Sequence, residues 1–177
     1  DEIILLMDMY PKYSEMSQYY SYNDRDIKLH YRRLSLLLNQ LSHEFKKQVI
    51  ISIHPKYPYS FYKKYLKNFK VTKNKTNDLI NKSFLILFFD SSAIIKAIIL
   101  NKKIISIRSD LFKGKKNYNS DIYSSKLNNQ SIKLSDNCNI DKKKLIIKLN
   151  KSVKKYQLYK NNFLGDKLKS KDTEILK

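Results

Sequence analysis

The sequence predicts an α/β fold, a Rossmann-like parallel sheet with flanking helices. Three observations carry that expectation. Four short apolar runs, Ile3–Met7, Val49–Ile53, Phe84–Phe89 and Lys103–Ile107, are almost unbroken, as in strands buried on both faces of a parallel sheet. Segments with helical spacing separate them, so the chain alternates β-α-β-α-β-α-β-α-β, the order of a doubly wound sheet. Within Phe84–Leu100 the change from strand to helix takes a single polar turn, Asp90-Ser91-Ser92, as in a βαβ unit.

The elements follow in order. Ile3–Met7 is the first strand, ending at Asp8 and a turn around Pro11. Residues 12–26 are polar and tyrosine-rich (Tyr13, Tyr19, Tyr20, Tyr22) and read as a loop. Asp24-Arg25-Asp26 has the D-x-D form with which some sugar transferases hold a metal. Three residues directly ahead of a strong helix are better explained as favouring its positive N-terminal end. That helix is expected from about Ile27 to Lys47, with Leu29, Arg33, Leu34, Leu37, Leu38, Leu41 and Phe45 at three- and four-residue steps. His30 and His43 lie on it without a nearby ligand partner and read as surface histidines rather than metal ligands.

Val49–Ile53 ends at His54-Pro55-Lys56. A helix from about Tyr59 to Leu66, a short strand Phe69–Val71 and a short helix Asn77–Asn81 lead to Phe84–Phe89. Ala93–Leu100 contains no Gly or Pro, stops at Asn101-Lys102-Lys103 and reads as a buried helix. After Ile107, Arg108–Gln130 is a polar loop on the active-site side, with Lys113-Gly-Lys-Lys116 and Tyr118. Ser131–Leu134 is expected as a last edge strand. Asp141 opens a long helix with Leu145, Leu149, Val153, Tyr156 and Phe163 on one face and lysines on the other. The expected organisation is a lobe over 1–135, an amphipathic helix packed on it over 136–164, and a charged, mobile tail over 165–177.

Composition narrows the classes. The chain has 177 residues, 42% of them hydrophobic, enough for one domain with a core. Only Gly114 and Gly165 are glycines, which excludes Gly-rich phosphate loops, so any phosphate must be held by other means. Cys138 is the single cysteine, which excludes a disulfide framework and a cysteine metal cluster and fits a reducing cytoplasm. No signal peptide is visible. A chain that opens at Asp1 and runs straight into a strand reads as one lobe of something longer. Residues 83–100 approach the ~20-residue length of a membrane span. Asp90, Lys96 and three serines interrupt them, and each charge near a helix centre costs roughly 2.5–3.5 kcal/mol on insertion. The net charge of +20 suits nucleic acid, an anionic membrane or an acidic substrate. Abundant Lys, Asn and Ile with scarce Arg, Gly and Ala also mark AT-rich coding, so charge alone selects no partner.

Two turns fall at the C-terminal ends of inferred parallel strands, His54-Pro55 and Ser91-Ser92. Parallel strands end on one edge of the sheet, so both turns can face one crevice, where ligands of such sheets bind. Serine hydroxyls, helix N-terminal amides and an imidazole suit a nucleotide phosphate. Pro55 keeps His54 extended and fixes where its ring points. Lys56 and Lys102 or Lys103 are candidate sources of positive charge. Asp8 lies at the same edge with no visible pairing partner. Capping by Asp90 or Ser91 is the structural alternative for the second turn.

Val49-Ile-Ile-Ser-Ile-His54-Pro55-Lys56, followed by Phe88-Phe-Asp-Ser91-Ser92-Ala93 and Asn101-Lys-Lys-Ile-Ile105, resembles the C-terminal lobe of bacterial GT-B glycosyltransferases. The similarity is greatest to the sialyltransferase and polysialyltransferase group, with its HP and paired-serine motifs, and covers roughly residues 1–135. Similar patterns occur in capsular Kdo transferases and CDP-glycerol glycerophosphotransferases. The resemblance implies that His54, Pro55, Ser91 and Ser92 bind the phosphate and nucleotide of a CMP-sugar donor, and that His54 assists the departing CMP as an acid. It implies no metal and no cofactor. It also implies a base in an N-terminal lobe that this chain lacks.

The expected partners are a CMP-activated sugar, a glycan or lipid-linked acceptor and the missing N-terminal lobe of the same protein. The expected place is the cytoplasm, with peripheral contact at the inner face of a bacterial membrane through the lysine-rich helix. A glycerophosphotransferase or nucleotide-sugar epimerase on the same fold stays open as an alternative. So does a non-catalytic basic protein on nucleic acid or a membrane surface, for which Tyr57–Lys67 is the best segment. No RNA-binding aromatic signature or DNA-reading helix motif is present, so nucleic acid is not expected.

Overall fold

Ile3–Met7 forms strand β1, and all five of its residues are buried. The computed structural model describes residues 2–11, 22–112, 124–127, 130–137 and 139–164. Strands β2 (Val49–Ile53), β3 (Lys70–Lys73), β4 (Ser83–Phe88), β5 (Lys103–Arg108) and β6 (Gln130–Lys133) complete a six-stranded sheet in the order β3-β2-β1-β4-β5-β6. Every pairing is parallel. This is the expected α/β, Rossmann-like architecture. β1 has β2 on one side and β4 on the other, so strand order reverses beside it. In sheets of this kind, a crevice opens at such a reversal, beyond the strands' C-terminal ends.

Alternation along β1 divides the core. Ile4 and Leu6 face helix α1 (Asp24–Phe45), meeting Tyr31, Leu34, Leu38 and Leu41. Leu5 and Met7 face the other layer, where Ile80 belongs to α3 (Thr76–Lys82) and Ile94, Ala97 and Ile98 to α4 (Ile94–Ile99). Helix α2 (Tyr59–Tyr65) joins the α1 layer through Tyr62. Helix α5 (Lys142–Tyr159) contributes Leu145 and Leu149 to the first layer and Tyr156 to the second. Asp141 caps α5, accepting the Lys144 amide at 3.0 Å.

Helix α1 departs from expectation at both ends. It begins at Asp24, three residues early, and Asn23 caps it by accepting the Asp26 amide at 2.7 Å. Asp24 and Asp26 lie in its first turn, where carboxylates favour the helix dipole. Its end is Phe45, followed by Lys46 in the left-handed region at φ 50°.

The buried stripe also starts differently. Ile27, His30 and Tyr31 point inward, while Leu29 and Arg33 are half-buried. His30 is therefore a core residue, correcting its assignment to the surface. Its Nδ1 lies 2.7 Å from Ser109 Oγ, and the rings of Tyr31, Phe89 and Phe112 surround it. Burial pushes its pKa down to about 3, so the ring is neutral. His43 is exposed as expected. Arg33 and Arg32 reach Asp136, with Arg33 Nη2 2.6 Å from Oδ2, and so tie the turn after β6 onto α1.

The remaining elements fall close to their expected places, with β3 displaced slightly to Lys70–Lys73. The polar segment after β5 contains a helical turn at 124–126, from which Leu127 enters the core. The loop of residues 12–21, Lys113–Lys116 with Tyr118, Cys138, the Phe163 side chain and the 165–177 tail lie outside the described residues. Among the described residues no helix is long and apolar enough to cross a membrane.

Leu38 is fully buried between α1 and the sheet, whereas Leu36, two residues away, is 43% exposed. Leu38→Ala is expected to lower unfolding stability by about 2–5 kcal/mol. Leu36→Ala is expected to change it by no more than about 0.5 kcal/mol. Urea unfolding of both variants checks the layer assignment, and equal losses would contradict it.

Candidate functional site

Four turns that follow strands meet at the C-terminal edge of the sheet, and those after β1, β2 and β4 begin where a buried strand runs out of apolar residues. They enclose a cleft of about 650 Å³. Asp8 comes from the end of β1, His54, Pro55 and Tyr57 from the turn after β2, and Asp90, Ser91, Ser92 and Ala93 from the turn after β4. The sheet thus brings His54, Pro55, Ser91 and Ser92 into one cavity, across the reversal of strand order.

His54 is oriented by its own turn. The Lys56 amide donates to His54 Nδ1 at 3.2 Å, and the Tyr57 amide donates to the His54 carbonyl at 2.9 Å. With Nδ1 accepting, the neutral ring carries its proton on Nε2. The Tyr57 ring packs against the imidazole at 5.3 Å, and Lys73 Nζ, at the end of β3, donates to the Pro55 carbonyl at 2.9 Å. Lys56 contributes this amide contact, but it is exposed and is not among the residues lining the cleft.

The paired serines do not cap helix α4. Its N-cap is Ala93, without a side-chain hydrogen bond, and the first backbone bonds run from the Ile94 and Ile95 amides to the Ser91 and Ser92 carbonyls at 3.2 Å each. Ser91 is half-buried with only a 3.9 Å sulfur contact to Met7, and Ser92 is exposed. Neither serine hydroxyl caps the helix, and both stay beside the cleft. At six residues α4 is short, so its dipole contributes little positive charge at the cleft.

Lys102 and Lys103 do not reach the cleft. Both precede or open β5 and lie at the opposite, N-terminal edge, where Lys102 Nζ donates to the Asn81 carbonyl at 2.6 Å and Lys103 covers the Phe84 ring. A helix that follows a strand returns the chain to the far edge, which closeness in sequence to Ser91 conceals.

The turn after β3 supplies what the sequence did not reveal. Asn74, Lys75, Thr76, Asn77 and Asp78 form one wall of the cleft. Asn74 takes a left-handed conformation at φ 58°, Lys75 opens α3, and Thr76 Oγ1 lies 2.6 Å from Ser52 Oγ. The available signal was positional: every turn that follows a parallel strand opens on this edge. Among the described residues Lys75 is the one lysine lining the cleft, beside Asp8, Asp78 and Asp90.

Asp8 lines the cleft from the end of β1 and is only 9% exposed. Tyr31 donates to its Oδ2 at 2.9 Å, while Oδ1 is buried without a hydrogen-bond partner. Burial pushes its pKa up to about 7, against the smaller opposing effects of Tyr31, the Met9 amide and Tyr62. No family model matches the chain, and no curated protein matches it.

From about pH 4 to pH 7 the folded protein retains the Asp8 proton that the unfolded chain has lost. Asp8 therefore lowers stability progressively as pH rises through that window, by at most about 1.4 kcal/mol per pH unit. Asp8→Asn is expected to gain stability over the wild type across pH 4–7, with the difference levelling above pH 7. Paired urea titrations at several pH values check this, and a pH-independent difference would contradict it.

Proposed function

We propose that the cleft holds the phosphate and nucleotide of an activated-sugar donor, and that the chain is the donor-binding lobe of a glycosyltransferase using a CMP-sugar such as CMP-sialic acid. One observation carries this reading. The His54-Pro55 and Ser91-Ser92 turns, which resemble the HP and paired-serine motifs, line a single cleft at the reversal of the sheet, with both hydroxyls unused for capping.

His54 Nε2–H, the two serine hydroxyls and Lys75 all suit a phosphate as hydrogen-bond donors, and Lys75 adds charge. Transfer proceeds by direct displacement of CMP from the sugar carbon. These residues position the phosphate and stabilise the charge that develops on it, with His54 as the acid for the leaving group. The base that activates the acceptor belongs to a further lobe. The acceptor is a glycan or a lipid-linked glycan. The exposed lysines of α5 suit contact with an anionic membrane surface.

CMP is expected to bind the purified protein in a calorimetric titration. In the His54→Ala, Ser91→Ala double variant, affinity is expected to fall about 100-fold or more, from the loss of two hydrogen bonds to a charged group. Absence of binding by the wild type, or equal affinity in the double variant, would overturn the proposal.

A further inference from the structure

The Asp8 carboxyl in the wall of the cleft has no role in the donor-binding chemistry above. Asp8 projects from the end of β1 between the two motif-bearing turns and is more than nine-tenths buried. Its hydrogen bonds distinguish its two oxygens. Oδ2 accepts the Tyr31 hydroxyl at 2.9 Å, and Oδ1 is the atom without a partner. A carboxyl so arranged can accept a proton on Oδ1 without losing the Tyr31 bond. Tyr62 lies close enough to the same carboxyl to lower its pKa slightly.

Resting on the nucleotide-binding reading above, we propose that Asp8, in the wall of the cleft, stands beside the bound phosphodiester in its protonated form, so that donor binding takes up a proton. An ionised Asp8 beside a phosphodiester would bury two like charges in one cleft, which a protonated carboxyl avoids. The proton removes the repulsion, in a cleft where Lys75 is the only lysine among the described lining residues. Burial already places the empty-cleft pKa of Asp8 near 7, so a nearby anion moves the bound-state value above neutrality.

The titratable groups facing Asp8 are Tyr31 on α1 and Tyr62 on α2. Across the cleft lie His54, Lys75, Asp78 and Asp90. The phenols stay protonated throughout, because burial pushes both pKa values far up. Histidine can also couple anion binding to proton uptake, in the same direction as Asp8. The two must therefore be separated experimentally.

The probe is the methyl ester of CMP, a phosphodiester whose own charge is fixed across neutral pH. Its affinity and its proton uptake are measured by calorimetry between pH 6 and pH 9, in buffers of different ionisation enthalpy. In the wild type, affinity is expected to fall by up to tenfold per pH unit above pH 7, with uptake approaching one proton per ligand. His54→Gln is expected to bind more weakly but keep the slope and the uptake above pH 7. Asp8→Asn, a neutral isostere, is expected to lose both and to bind more tightly than the wild type at pH 9. An Asp8→Asn protein that retains slope and uptake overturns this proposal while leaving nucleotide binding intact. A wild type that binds the ester at no pH overturns this proposal and the nucleotide reading together.

Discussion

A parallel strand buried on both faces leaves charged and strongly polar side chains to its ends, and that constraint organises this protein. All five residues of β1 are buried, and β2 is buried along its whole length as well. The first polar groups the chain can present therefore appear at the sheet edge: Asp8, His54 and the Asp90-Ser91-Ser92 triplet. The reversal of strand order beside β1 sends the following helices to opposite faces, and the turns part to leave the cleft. Stability and site share an origin here, since the hydrophobic sequence that fixes each strand also fixes where its chemistry begins.

Charge is distributed in a way composition hides. A chain of +20 has a cleft lined by one lysine and three aspartates among its described residues. Much of the basic charge sits on exposed helix faces, above all on α5, where Lys143, Lys144 and Lys148 face solvent. On the proposed reading, anion binding in the cleft would depend on oriented neutral donors, hydroxyls and an imidazole N–H, more than on net charge. Neutral hydrogen bonds are less sensitive to salt than a lysine patch, so affinity for a nucleotide should depend weakly on ionic strength.

Most of the sheet was legible because its strands are apolar runs, whose burial follows from residue type alone. Where legibility failed, a partner distant in sequence decided the outcome. His30 looked like a surface histidine because Ser109, 79 residues away, and the Phe89 and Phe112 rings come from distant segments. The start of α1 was misjudged because it was sought at the first apolar residue, whereas Asn23 and the Asp26 amide already close the cap. At the site, the two motif turns were legible as polar breaks after strong strands. The wall from Asn74 to Asp78 was not, because β3 is a half-exposed edge strand with only Val71 fully buried. Lys102 and Lys103 misled through proximity in sequence, which one helix converts into opposite ends of the sheet.

The central claim is that the two motif turns act on one ligand. Adding CMP to isotopically labelled protein and following amide resonances tests it most directly. The account predicts that the amides of His54–Tyr57, Asn74–Thr76 and Ser91–Ala93 shift together along one saturating binding curve, while those of Lys102 and Lys103 at the opposite edge stay still. Shifts confined to one turn, or centred on the lysine-rich face of α5, would contradict it.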